Sequence, residues 1–215
     1  MTSSRAEEVT VEPTARGTRR TPVDKYDQRR TQLAISALAT LGELGYARTS
    51  LREIATNSEF SHGVVHYYFA NKFELITHCV GYYKAQCVTR YDGLVAESSS
   101  DVELLTRFAD KLVETMTTDA PMHRLWYDLR AQAMFEEQLR PNVLAIDAAL
   151  QDMIGRVVER YADLAERALA VEVTTCYALL DGVFENALLA HLTGDEHASD
   201  NLRARVVEVL PRLLA

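Results

Sequence analysis

Residues 50–75, SLREIATNSEFSHGVVHYYFANKFEL, constrain this chain more than any other stretch, because they hold three helix starts and a tight turn. Ser50 and Glu53 have the spacing of a capping box around the apolar pair Leu51 and Ile54, which predicts a first short helix. Ser61 is placed to cap a second, its hydroxyl accepting an amide hydrogen from Gly63 or Val64. A third helix opens at Asn71-Lys72. On the middle helix Val65, Tyr68 and Phe69 turn inward, which leaves His62, Gly63, Val64, His66 and Tyr67 outside. A helix of about two turns with a small, aromatic, hydrogen-bonding face suits a DNA major groove. The stretch reads as a helix-turn-helix, and DNA is the first partner it implies.

The formal net charge of -8 runs against that partner until its distribution is read. Residues 15–72 hold nine Lys/Arg against five Asp/Glu, a balance of +4. Residues 73–215 hold thirteen against twenty-three, a balance of -10. A basic N-terminal third on an acidic remainder fits a small DNA reader joined to a separate body. With 215 residues the chain can bury one large core or two smaller ones that share an interface. Pro and Gly are sparse and apolar residues recur at helical spacing from Tyr26 onward, so the fold class is all-α. No run of about eighteen uncharged apolar residues is present, which excludes a membrane span. The N-terminus lacks the apolar core of a signal peptide, so a cytoplasmic location is expected. Cys79, Cys87 and Cys176 are odd in number and sit on apolar helical faces, as reduced, buried thiols do.

Three segments follow. Residues 1–24 are rich in Ser, Thr, Arg, Glu and Pro and form a disordered, partly basic arm. Arg16, Arg19 and Arg20 within it suit either a minor groove or a merely solubilising tail. Residues 25–72 form the three-helix DNA-binding domain, its first helix running over 25–44 with Gly45 in the C′ position. Residues 73–215 form a larger helical domain. A long helix is expected over 71–97, with Ile76, Cys79, Val80, Tyr83, Cys87, Tyr91 and Leu94 on its buried side. Further helices are expected over 101–117 with Asp101 as N-cap, 121–135 with Pro121 at N1, 141–165, 171–192 and 199–214.

In order, these pieces resemble the TetR family of bacterial transcriptional regulators. The likeness is carried by Gly45-Tyr46, by residues 49–55 (TSLREIA), by residues 60–69 (FSHGVVHYYF) and by residues 71–75 (NKFEL). It implies a homodimer whose two heads meet successive major grooves about 34 Å apart. Carried onto this chain, it puts Ser61, His62, Gly63, Val64, His66 and Tyr67 on the DNA-facing side. Gly63 permits close backbone approach, Val64 meets a thymine methyl, and His62 reads a base edge. Thr49, Ser50, Arg52 and Lys72 are then phosphate contacts. Two positions depart from the family. Glu59 stands where a turn glycine is usual, at a cost of about 1 kcal/mol if the backbone there is left-handed. His66 stands where tyrosine is usual.

The resemblance further implies an effector pocket in residues 73–215, whose ligand spreads the heads. Tyr83, Phe108, Met116, Trp126, Tyr127 and Arg130 are its candidate lining, among large side chains that also include Tyr82, Met122, Met134 and Phe135. Such a set suits an apolar or aromatic ligand, with a cation among the options. The last two helices offer Cys176, Tyr177, Leu180, Phe184, Leu188, Val206 and Leu210 for a four-helix dimer interface. Packing within one protomer is the competing use of the same residues. No phosphate loop, nucleophile elbow or Cys-x-x-Cys pair appears, so neither catalysis nor a cofactor is expected. His62 and His66, four residues apart, have no carboxylate or cysteine at ligand spacing, so no metal site is expected. The reading is a repressor released from its operator by a small molecule. Its competitors are a helical DNA-binding factor governed by protein partners and an enzyme that carries a helix-turn-helix-like segment.

Overall fold

A computed structural model describes residues 22–215. The arm residues Arg16, Arg19 and Arg20 lie outside the described residues, as does the side chain of Val80. The chain order is α1 (Pro22–Arg48), α2 (Leu51–Thr56), α3 (His62–Tyr68), α4 (Lys72–Cys87), α5 (Asp92–Glu97), α6 (Asp101–Thr118), α7 (Ala120–Ala133), α8 (Arg140–Leu164), α9 (Val173–Leu192) and α10 (Ala198–Val209). Short 3-10 turns at Glu137–Leu139 and Leu210–Leu213 precede α8 and close the chain. The all-α reading therefore holds, and no helix among the described residues is long and apolar enough to cross a membrane.

Helices α2, α3, α4 and α6 begin where a side chain accepts from a free amide. Ser100, one residue before the expected Asp101, caps α6 by accepting from the Glu103 amide at 3.2 Å. Pro121 sits in the first turn of α7, where its missing N–H costs nothing. The helix expected over 71–97 is two helices. It breaks at residues 88–91, where Arg156 donates to the Val88 carbonyl and Arg90 reaches across to Asp119 at 2.7 Å. Those partners lie 29 and 68 residues away, so tertiary contacts override a helical pattern that is locally unbroken.

Two apolar clusters organise the body. One joins Leu33, Ala37 and Leu41 of α1 to Ile54, Val65 and Phe69, then continues into Leu125, Trp126 and Leu129 of α7 and Ile146 of α8. The other gathers α6, α9, α10 and the second half of α8 around Phe108, Val157, Leu180 and Leu202. Tyr127 and Leu150 touch both. The core beneath the first four helices thus runs past residue 72 into α7 and α8. Cys79, Cys87 and Cys176 are all buried and free.

Helix α1 bends away at Gly45, whose φ of 77° and ψ of 171° suit glycine alone. A Cβ there would also lie 3.0 Å from the Asp128 carboxylate. Gly45→Ala should therefore lower stability by about 1–3 kcal/mol, read as an earlier midpoint in urea unfolding. A second expectation concerns pH. Burial, with the Arg90 guanidinium adding to it, holds the His123 imidazole on α7 down to about 4, and its ring packs on Phe184 with centroids 4.7 Å apart. The folded chain thus refuses a proton that the unfolded chain accepts near pH 6.5. The stability at stake is complete above that pH and is lost as the pH falls toward 4, on the order of 3 kcal/mol. Urea unfolding at pH 7 and pH 4.5 should show a smaller fall for His123→Leu than for the wild-type chain.

Candidate nucleic-acid interface and ligand cavity

The helix-turn-helix forms from local bonds. Ser50 accepts from the Glu53 amide at 3.2 Å, and its own amide donates to the Glu53 carboxylate at 2.7 Å, completing the capping box. The Ser50 hydroxyl, which donates to the Glu53 carboxylate, and then the Ser50 amide hold that carboxyl below its usual range. Ser61 caps α3 by accepting from the Val64 amide at 3.4 Å. Between the helices the Ser58 hydroxyl accepts from the Phe60 amide, and Phe60 is buried as the anchor of the turn. Glu59 is not strained. Among the described residues Glu166 is the only non-glycine with positive φ, so this turn has no use for a glycine at position 59.

On the outer side of α3, His62, Gly63, His66 and Tyr67 are exposed, Tyr67 to 72%, while Val64 is half-buried against the core. The His62 and His66 Nε2 atoms lie 3.1 Å apart, one donating and the other accepting. Arg52 and Thr56 of α2 share a groove with Ser61 and His62 of α3. A Cβ on Gly63 would meet nothing within 4 Å, so the protomer itself does not require the glycine. Arg52, Ser61, His62, Gly63, His66 and Tyr67 thus form one outward surface, with the Ser50 hydroxyl at the α2 start engaged by Glu53.

Two expected phosphate contacts are employed elsewhere. Thr49 is 2% exposed and its hydroxyl donates to the Gly45 carbonyl at 2.7 Å, so it fixes the end of α1 instead of facing outward. The Lys72 ammonium donates to the Tyr46 carbonyl and sits 3.9 Å from the centre of the Tyr46 ring. Partial burial lowers its pKa, as expected for an ammonium held inside a corner. Sequence reasoning also missed the residues that brace α3 from α1. Tyr26 packs on Tyr68 at 4.8 Å and on Tyr67 at 6.3 Å, while Arg29 and Arg30 lie over the Phe60 and Phe69 rings. Only the fold brings these side chains under the turn.

Behind the head lie two adjoining cavities of about 80 Å³ each. The first is walled by Tyr83, Cys87, Arg90, His123, Trp126 and Met153, among others. The second is walled by Phe108, Trp126, Tyr127, Tyr177, Asp181 and Phe184, among others. Tyr91, His123, Trp126, Leu150 and Met153 belong to both walls. Of the expected lining residues, Tyr83, Phe108, Trp126 and Tyr127 are therefore in place. Met116 is not: it is fully buried in the second core and reaches neither cavity. Arg130 lies outside both walls, its guanidinium paired with Asp181 at 2.5 Å, an oxygen pair that Tyr127 also bonds at 3.0 Å. Burial, then the Asp181 charge, raises the Tyr127 hydroxyl pKa. Met134 and Phe135 are 74% and 85% exposed after α7 ends, so they line nothing.

The interface residues expected on α9 and α10 need correction as a group. Cys176, Tyr177, Leu180, Phe184, Leu188, Val206 and Leu210 are all buried inside the protomer, none more than 8% exposed. They belong to the second apolar cluster and have no surface left to offer a second copy. The apolar side chains that these helices leave outside are Leu179, Leu189 and Leu192 of α9 and Val207 of α10.

Residues 36–79 match the family of bacterial regulatory proteins, tetR family. Among solved structures, a TetR transcription regulator from Haloarcula marismortui is 19% identical with a TM-score of 0.70, covering 88% of this chain and 100% of that one. The transcriptional regulator FadR of Bacillus subtilis, in complex with stearoyl-CoA, is 15% identical with a TM-score of 0.66, over 84% of this chain and 96% of that one. A Saccharomonospora viridis protein described as a transcriptional regulator, in complex with choline, is 14% identical with a TM-score of 0.70, over 87% and 98%. No match was found among curated proteins. At such identities the whole-chain likeness carries the fold, while the family match falls on the helix-turn-helix. Residues 36–79 thus carry the helix-turn-helix domain of the tetR family of bacterial regulatory proteins, and the chain as a whole shares the all-helical fold of solved TetR regulators.

Proposed function

We propose that the protein is a homodimeric repressor whose hold on its operator is relieved by a small molecule bound in the cavities beside α7. One observation carries the reading: α7 faces the cavities on one side and grips the end of α1 on the other. Met122, His123, Leu125, Trp126 and Leu129 line the first cavity. From the same helix Arg124 donates to the carbonyls of Gly42 and Glu43, and the Asp128 carboxylate accepts from the Tyr46 amide at 2.6 Å. The two helices are in close contact, since a Cβ on Gly42 would lie 3.2 Å from Pro121. A ligand that shifts α7 must carry α1, and the recognition helix with it. Effector and operator then favour different settings of one element, so each weakens the other.

The dimer is supported by the outer face of α9. Leu179, Gly182, Asn186 and Leu189 recur at three- and four-residue spacing on the side turned from the core, with Leu179 47% and Leu189 64% exposed. A Cβ on Gly182 would meet nothing within 4 Å, so a partner helix can approach closely there. On the head, Arg52, His62, Gly63, His66 and Tyr67 meet the major groove and its flanking phosphates, with Ser61 and Ser50 presenting the helix starts. Thr49 and Lys72 act indirectly by fixing the corner that carries them.

Mobility shifts on the DNA flanking its own gene test the scheme. Arg52→Ala should weaken binding and reduce the slope of log K against log salt by about one. Tyr67→Ala should lower affinity about tenfold while circular dichroism stays unchanged. Specific binding that no small molecule relieves would point to control by a protein partner, for which the exposed Met134–Phe135 pair is the available apolar surface. Leu189→Arg should give a folded monomer by light scattering, with operator binding weakened by at least about tenfold. A Leu189→Arg chain that stays dimeric would sink the α9 interface.

A further inference from the structure

Among the described residues, four buried side-chain nitrogen or oxygen atoms have no hydrogen-bond partner. Three of them, Tyr83 Oη, His123 Nε2 and Trp126 Nε1, belong to residues on the wall of the first cavity. Buried polar atoms are nearly always paired, so three orphans around one otherwise apolar space describe what should fill it. Their chemistry is specific. The indole N–H of Trp126 can only donate. A neutral His123 ring has one donor and one acceptor nitrogen, and the Thr115 backbone beside the ring favours the proton away from the unpaired Nε2, which leaves Nε2 as an acceptor. The Tyr83 hydroxyl has the Cys87 thiol, a weak acceptor, beside it and serves as either donor or acceptor. A ligand hydroxyl has one hydrogen to give and two lone pairs to receive, which is what these three groups ask for together.

The charge of the wall narrows the choice. Arg90 is the cation on it, and Asp119 already holds that guanidinium at 2.7 Å. A carboxylate would have to displace Asp119. A cation would be desolvated beside Arg90, and the carboxylate of the adjoining wall, Asp181, is already engaged by Arg130 and Tyr127. Most of the remaining lining is apolar, including Leu38, Val88, Leu129, Ile146 and Leu150. Size sets the other bound. Each cavity measures about 80 Å³, and they are divided by side chains that belong to both walls. Merged, they reach the scale of an apolar cavity that holds one benzene ring, roughly 150 Å³. We propose that this site binds an uncharged alcohol or phenol of about one ring, its hydroxyl meeting Tyr83, His123 and Trp126. Its role as an effector rests on the function proposed above; the binding does not.

Trp126 is the only tryptophan in the chain, so its emission reports on the cavity directly. Cyclohexanol should shift that emission saturably, with cyclohexane about tenfold weaker. Cyclohexanecarboxylate and cyclohexylammonium should give no saturable change. His123→Leu should keep cyclohexane binding while losing the preference for the alcohol. If that variant does not fold, Tyr83→Phe should reduce the same preference. Either charged probe binding as tightly as cyclohexanol overturns the proposal, as does equal binding of cyclohexanol and cyclohexane. No saturable response to any probe overturns it as well and assigns the three polar atoms to ordered water. Adding cyclohexanol to the complex with DNA separates the two claims: binding at Trp126 without release of DNA supports the site and sinks the effector role.

Discussion

The corner at Gly45–Tyr46 is the constraint on which the rest of the structure hangs. There α1 must stop, the chain must turn toward α2, and the head must be joined to the body within two residues. Gly45 supplies the backbone angle, and Tyr46 is then held from both sides. Its amide donates to Asp128 of α7 at 2.6 Å, and its carbonyl accepts from Lys72 at the start of α4. Both are charge-assisted hydrogen bonds, which contribute about 1.5–3 kcal/mol each. The Tyr46 ring under the Lys72 ammonium adds a smaller cation–π term and excludes water from the pair. Removing Lys72 would leave Asp128 and the Tyr46 carbonyl short of a counter-charge inside the corner. The lysine therefore serves DNA binding by holding the geometry.

What could be read from the sequence divides along the same physical line. The capping box at Ser50–Glu53, the Ser61 cap and the inward Val65 and Phe69 depend on neighbours within four residues, so spacing alone gives them away. The break between α4 and α5 depends on Arg156 and Asp119, far along the chain, and local periodicity runs straight through it. Lys72 has the right chemistry for phosphate, but its partner is the Tyr46 carbonyl, 26 residues back, which a sequence does not put beside it. Thr49 bonds the Gly45 carbonyl only four residues back, a local bond that phosphate chemistry masked.

The α9 residues show the limit of periodicity most clearly. A stripe such as Cys176, Tyr177, Leu180, Phe184 and Leu188 says that one face is buried, and says nothing about whose surface buries it. Here α8 and α10 of the same protomer do so. An interface that forms after folding must use what the protomer leaves outside, so its mark is the weaker second stripe of Leu179, Gly182, Asn186 and Leu189. The same reasoning applies to the cavity. Aromatic and methionine content pointed to the region, whereas His123, Tyr177 and Asp181 became visible only when the helices were placed around a void.

The position of α7 explains how an event in so small a space can reach both ends of the molecule. Its cavity side is continuous with Trp126, a member of both walls, so filling the merged space requires that side chain or its neighbours to yield. Packed interiors pass on such a displacement because neither side has free volume to absorb it. Toward the head, the shift meets Arg124 and Asp128, which hold the last turn of α1. Toward the outer face, it meets Arg130 and Tyr127, both bonded to Asp181 of α9, the helix whose far side carries Leu179 and Leu189. Asp181 is thus tied to α7 on one side of the helix, one residue from Gly182 on the other. On the proposed dimer, movement of α7 would bear on the recognition helix and on the subunit contact at once. The separation of two heads depends on both the tilt of each head and the angle between protomers, and a single helix that touches each of those joints can alter it without any large rearrangement of the cores.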